Sequence, residues 1–263
     1  MNARIGSKKG QSVVEYLSSY VWALLIMAIA LIVLYSFGFF TPQQPTQKSG
    51  ACEVLRPHGP NSTDFLSLVG LCSTLSYQYV AVFRQDNNGF ISITPPKRSF
   101  NQFSLSLWFK SDNTGTTPQN VAYVSGPSGG IWIYWSPNLP ATASTWNFAI
   151  LTGDYQTGVY NLYVNNALVS TGSAGDTPAN SINIGGAIPD QGLSGFSGKI
   201  SNVQLYNATL TQTQMQRMFA AGSGGLPPVL KSLVGWWQLN GDVNDYSGEA
   251  NPGLPMDITF SGT

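Results

Sequence analysis

The chain has 263 residues, equal numbers of acidic and basic side chains, and only 9% charged residues. That is far below the quarter usual in globular proteins, and no basic patch suited to nucleic acid is present. Ser, Thr, Asn, Gln and Gly stand in place of charge, which suits an extracellular all-β domain and allows one or two globular units.

Arg4, Lys8 and Lys9 open the chain, followed by Gly10 and a single acid, Glu15. From Tyr16 to Gln47 there is no charge, and the part up to Phe40 is mostly Leu, Ile, Val, Ala and aromatic. Residues 17–40 would extend about 36 Å as a helix, against a bilayer core of about 30 Å. The run is too long for a secretory signal, and no small-residue cleavage site follows it. The basic residues place the N-terminus in the cytoplasm and everything after Thr41 outside. Gly10-Gln-Ser-Val-Val-Glu15-Tyr16 resembles the processing site of type IV pilin precursors, closest to the archaeal class III signals. The resemblance implies cleavage between Gly10 and Gln11 by a prepilin peptidase. Glu15 then pairs with the new α-amino group of Gln11 in a neighbouring pilin subunit during assembly. An ordinary uncleaved anchor is the other reading.

The prolines of Thr41–Gly50 end the helix and open a linker. Cys52 and Cys72 are the only cysteines. Outside the cell they read as a disulfide, worth about 3 kcal/mol by loop closure, rather than as two buried thiols. Asn61-Ser-Thr and Asn207-Ala-Thr fit the N-glycosylation pattern.

Past the linker, short runs rich in β-branched and aromatic residues alternate with Gly, Asn, Pro and Asp. Phe103–Lys110 puts Phe103, Leu105, Leu107 and Phe109 on one face of a half-buried strand. Further strands are expected at Tyr77–Arg84, Phe90–Thr94, Val121–Ser125, Ile131–Trp135, Trp146–Thr152, Val159–Val164, Ile182–Ile184 and Lys199–Tyr206. Asn88-Gly89 and Asn165-Asn166 each read as a hairpin turn. One soluble helix is expected, capped by Thr211 and Gln214, carrying Met215, Met218 and Phe219, and ended by Gly222.

Gly198–Met215, with Phe103–Lys110, Trp146-Asn-Phe and the Leu162–Val169 hairpin, resembles laminin-G/concanavalin-A-like jelly-roll domains over about residues 77–222. The resemblance implies a jelly-roll β-sandwich of the concanavalin A-like lectin/glucanase type. The expected architecture is thus an N-terminal transmembrane α-helix plus an all-β sandwich with one short helix. Its divisions are a leader (1–10), the pilin-like helix (11–40), a linker and disulfide loop (41–76) and the sandwich (77–263). Leu233-Val-Gly-Trp-Trp-Gln-Leu239 departs from the pattern, because such a segment opens many domains of this family. It is read as a circularly permuted strand of the same sandwich. A truncated second domain would strand Trp236, Trp237 and Leu239 without a core.

Catalysis has little to work with. His58 is the single histidine and sits in a Pro-Gly loop, and past the anchor the only glutamates are Glu53 and Glu249. Relatives that are glycosidases use paired carboxylates, and no Glu-x-Asp-x-Glu strand exists. The chain reads as no enzyme. Asp242 and Asp245 lie in an oxygen-rich turn open to Ca²⁺ or to Asx turns that bond their own backbone. Trp132 and Tyr134 point away from Ile131, Ile133 and Trp135, and with Tyr155 they are candidates for stacking on sugar. The expected function is a surface pilin-like subunit, its helix in a filament core and its sandwich displayed for adhesion. The alternative is a membrane-anchored lectin-like adhesin that forms no filament. Expected partners are other pilin subunits, the peptidase, the membrane and surface carbohydrate.

Overall fold

The computed structural model describes residues 13–36, 52–72, 78–86, 88–94, 101–126, 129–173, 181–188, 190 and 192–263. Gly10 and Gln11 lie outside that set, as does the stretch from Phe37 to Ala51. The chain divides into two units, Met1–Ser49 and Gly50–Thr263.

The first unit contains α1, Val13–Ser36, of 24 residues. No glycine or proline interrupts it, and Leu24, Ile26 and Ile32 are each more than 60% exposed. Its backbone carries Glu15 in the first turn.

The second unit is built from two sheets. The larger has eight strands in the order β10 (Ala167–Ser173), β9 (Val159–Val164), β8 (Asn147–Asp154), β5 (Gln102–Ser111), β13 (Gly198–Tyr206), β3 (Tyr79–Phe83) and β16 (Thr259–Gly262), with β14 (Leu233–Trp237) also on β13. The smaller has six in the order β12 (Ser194–Gly195), β6 (Gln119–Gly126), β11 (Ser181–Ile184), β4 (Phe90–Ile93) and β15 (Leu254–Met256), with β7 (Gly129–Trp135) on β6. Phe103, Leu105, Leu107 and Phe109 of β5 meet Ile91, Val124, Ile133, Trp135 and Ile182 from the other sheet in one apolar core.

A second apolar layer covers the outer face of the larger sheet. There Trp108, Phe148 and Tyr206 pack under α2 (Gln212–Ala221) and a small hairpin, β1 (Glu53–Leu55) and β2 (Ser67–Val69). The Trp108 and Phe219 rings stack 5.9 Å apart. β5 is therefore not half-buried: Ser104 and Ser106, on its other face, are as fully enclosed as Phe103. Alternation identifies one buried face but says nothing of what a distant helix lays over the other. α2 carries the expected capping box between Thr211 and Gln214, and Gly222 ends it at φ 75°.

The segment 52–72 is part of this domain, not a linker before it. Cys52 and Cys72 are bonded, and Cys52 and Val54 are buried in the second layer. The C-terminal segment is likewise built into the sandwich. β14 pairs antiparallel with β13 from Val203↔Trp237 to Tyr206↔Leu233. Alternation separates the two tryptophans: Trp237 enters the core between the sheets and Trp236 the layer under α2. Each indole is satisfied, Trp236 Nε1 donating to Asn202 Oδ1 at 2.9 Å and Trp237 Nε1 to the Asn251 carbonyl at 2.8 Å. Gly235 leaves room for the Trp237 ring, which a Cβ there would meet at 2.1 Å. β13 exchanges its neighbour β3 for β14 at a bulge around Asn202, whose φ is 51°. A bulge of this kind re-aims a strand, here enough to seat a second partner.

The two Asn turns behave differently. Asn165 and Asn166, at φ 49° and 65°, close the β9–β10 hairpin. Asn88-Gly89 closes none, since β3 pairs with β13 and β16 while β4 pairs with β11 and β15. It turns the corner between sheets, where the Ala187 N–H donates to Asn88 Oδ1 at 2.8 Å.

Candidate functional site

The larger sheet's outer face is covered over β5, β8, β13 and β14, whereas Ser92, Tyr123, Trp132 and Asn183 of the smaller sheet keep intermediate exposure. Strand alternation decides what the smaller sheet presents. Ile131, Ile133 and Trp135 of β7 point inward, leaving Trp132 and Tyr134 outward. Ala122 and Val124 of β6 point inward and leave Tyr123 and Ser125 outward. Ile182 and Ile184 of β11 do the same for Ser181 and Asn183, and Ile91 and Ile93 of β4 for Phe90 and Ser92.

The register aligns four of these positions, and Leu254 of β15, across the sheet: Trp132↔Tyr123, Tyr123↔Asn183, Asn183↔Ser92 and Ser92↔Leu254. At about 4.8 Å per strand the row is roughly 19 Å long. The Tyr123 and Trp132 ring centroids lie 6.5 Å apart, with planes inclined by 37°. Gly130 permits this. A Cβ there would fall 2.1 Å from the Tyr123 ring, so only glycine lets the ring lie over β7. In the flanking row the Ser125 and Ser181 hydroxyls are 2.6 Å apart. No member of the row is charged. Aromatic faces, an amide and hydroxyls together offer stacking and neutral hydrogen bonds.

Of the three aromatic candidates from the sequence, Trp132 stands in this row. Tyr134, opposite Asn120, is half-buried at the rim of the core. Tyr155 belongs elsewhere. It opens the turn after β8 of the larger sheet, stacks on Phe103 with centroids 5.7 Å apart, and burial pushes its phenol up to about 12. Tyr123, Asn183 and Ser92 were not singled out from the sequence. Alternation marks each as outward, but only the register brings them together.

Asp242 and Asp245 do not form a cation cage. Asp245 Oδ1 accepts from the N–H groups of Trp236 and Ser247, and Oδ2 from that of Asn251, each at 2.9 Å. Three N–H dipoles aimed at one carboxylate present their positive ends to the place a cation would occupy. Burial raises the Asp245 pKa against the pull of those donors. Asp242 accepts from the Asn244 N–H at 3.3 Å and from the Tyr246 hydroxyl at 2.9 Å. Among the described residues no group of three or more His, Cys, Asp or Glu could hold a metal ion. The residues of this turn do not fit Ca²⁺.

The remaining titratable candidates are placed just as definitely. His58 is exposed, with its ring edge-on to Phe65 at 5.9 Å. Glu249 is bound to Arg56, a residue the sequence does not mark, at 3.0 Å with both side chains 2% exposed. Asn61 is exposed and Asn207 half-buried.

Residues 85–216 match the family model described as Laminin_G_3, of the concanavalin A-like lectin/glucanases superfamily. A putative carbohydrate-binding protein from Bacteroides ovatus shares the fold at a TM-score of 0.54 and 20% identity, over 71% of this chain and 60% of that one. This chain thus spans somewhat under two thirds of that protein's length. A heptameric SAP-like pentraxin from Limulus polyphemus aligns at a TM-score of 0.49 and 11% identity, over 71% of this chain and 96% of that one. No curated protein sequence matches the chain. With a matching model that spans half of its length and a sandwich of the same kind, the chain belongs to the Laminin_G_3 family of concanavalin A-like lectin/glucanase domains.

Proposed function

We propose that this protein is a membrane-anchored surface recognition subunit whose sandwich binds carbohydrate on the outward face of its smaller sheet. The observation that carries the reading is the uncharged row of Trp132, Tyr123, Asn183 and Ser92. A sugar ring has an apolar C–H face for the aromatic pair and hydroxyls for the amide and serine. The relative from Bacteroides ovatus is described as a putative carbohydrate-binding protein, which agrees in kind. Among the described residues neither a carboxylate pair nor a histidine relay stands on this face, and the reading assigns it binding rather than catalysis.

The test is a glycan array probed with the full-length chain in detergent, alongside Trp132→Ala and Tyr123→Ala. Each variant should lose about tenfold or more in affinity, or 1.4 kcal/mol, with its melting temperature held. A wild-type protein that binds no glycan, or variants that bind undiminished, would overturn the assignment.

The anchor in this reading is α1. Counted over the described side chains alone, Tyr20, Val21 and 23–32, no helix is long and apolar enough to cross a membrane. The helix itself has 24 residues, about 36 Å, and Glu15 is its single charge. The Gly10-Gln11…Glu15-Tyr16 motif supports pilin-type processing, with assembly of the helices into a filament core and the sandwich displayed at the cell surface. In that account the peptidase and other pilin subunits are partners, and the membrane holds the helix before assembly. Mass spectrometry should find Gln11 at the mature N-terminus. Gly10→Val should block cleavage, since the peptidase needs a small, flexible residue there. Glu15→Ala should impair assembly more than cleavage. An assembled product that still begins at Met1 would refute the processing step. Electron microscopy separates the filament from an anchored adhesin that never polymerises.

A further inference from the structure

Any tension between the anchor and a ligand on the sandwich enters the domain at Cys52, the first residue of its described fold. What happens next depends on the bond to Cys72, 20 residues further on. With the disulfide closed, covalent load passes from Cys52 directly to Cys72 and on towards β3. The hairpin between them is left out of the path.

That hairpin is the clasp of the C-terminal segment. The Val54 N–H donates to the Tyr246 carbonyl at 2.8 Å. Arg56 donates through Nε to the Ser247 carbonyl at 2.8 Å and through Nη2 to the Leu233 carbonyl at 2.6 Å. Its Nη1 meets Glu249 Oε1 at 3.0 Å, while the Asn61 N–H holds Oε2 at 2.8 Å. Gln238 Nε2 donates to the Cys52 carbonyl at 2.6 Å. Every one of these contacts lands on residues 233–249 or on the loop that carries Arg56. They cover Trp236 and Leu233, the flank of the larger sheet.

We infer that the Cys52–Cys72 disulfide is a load bypass: it carries tension from the anchor around the 53–71 hairpin, so that the clasp on the C-terminal segment stays unstressed. Without the bond, tension must run through residues 53–71 and peel β1 from Tyr246, Ser247 and Glu249. Opening that contact leaves a buried carboxylate without its cation, and the flank of the sheet loses its cover. The domain thereby becomes weak under tension when reduced and strong when oxidised, with the same contacts at rest. This rests on the anchor lying N-terminal to the domain, as proposed above.

The test is constant-force spectroscopy on the full-length chain, held at its N-terminus and at a clickable residue placed at Gln156, which is exposed in the β8–β9 turn. A thiol reductant is supplied under tension. Its thiolate attacks the sulfur of half-exposed Cys72, a mixed disulfide forms and Cys52 leaves as the thiolate. Freeing a loop of 20 residues whose end Cα atoms lie 4.8 Å apart should lengthen the molecule in one step of roughly 60–70 Å. The step rate should rise with tension as well as with thiol, because the bond is what bears the load. Reduction without a step, or a rate indifferent to tension, would overturn the bypass. Membrane fractionation tests the anchor separately: a chain found only in the soluble fraction would remove the source of load while leaving the step unchanged.

Discussion

Replacing Glu249 by alanine tests the tie between the two ends of the domain. The Arg56–Glu249 pair is enclosed, with both side chains 2% exposed and 3.0 Å between charged atoms. Alanine takes the Glu249 carboxylate from the guanidinium, and it takes from the Asn61 N–H the acceptor it has at 2.8 Å. Removing one member of a buried pair destabilises by about 3–5 kcal/mol. For a domain of Gly50–Thr263 that corresponds to a fall in melting temperature of roughly 6–20 °C. The double replacement Arg56→Met with Glu249→Leu removes both charges together but also takes the donors from the Ser247 and Leu233 carbonyls, so its loss should fall well short of the sum of the two single losses without vanishing. Thermal melts followed by circular dichroism, with the disulfide intact, give both numbers. A single variant that melts within about 2 °C of the parent would refute the reasoning, because an enclosed charge cannot lose its partner without penalty.

Truncation before Leu226 should abolish cooperative unfolding of the whole domain, since it removes β14, β15, β16 and the fully buried Trp236, Trp237 and Leu239. A truncated chain that melts cooperatively near the parent temperature would show the segment to be an appendage. At high pH the phenol of Tyr155 should ionise late, its pKa raised from 10.0 to about 12 by burial, and burial raises those of Tyr206 and Tyr246 as well. The unfolded chain then releases protons first, so stability falls as pH rises from about 10 towards 12. Ultraviolet difference titration checks this, and a single tyrosine transition at the ordinary value would contradict it.

Elements with local causes could be read from the chain. The capping box of Thr211 and Gln214 acts within four residues, and α2 begins where it predicts. Asn165-Asn166 turns because two adjacent asparagines accept left-handed backbone, and the strands on either side pair at once. Trp236 and Trp237 had to part, since neighbouring side chains on a strand face opposite ways. Asn88-Gly89 carries the same local signal as the other turn and yet joins strands of different sheets. Its propensity fixes a reversal but not the partner of the strand that follows, which is set by β11 and β15 bidding for β4.

The sequence by itself determined the apolar helix, the β-rich character of the rest, the capped helix α2 and the inward face of each long strand, because these depend on residues within a few positions of one another. The tertiary structure alone decided that Arg56 meets Glu249, that the Cys52–Cys72 hairpin clasps β14, and that Trp132, Tyr123, Asn183 and Ser92 stand in one row. Apart from Trp132 and Tyr123 on adjoining strands, those residues are tens to nearly two hundred positions apart. Nothing local selects such partners. They are fixed when two sheets close over one core, and the register that closure imposes places every outward side chain beside its neighbours.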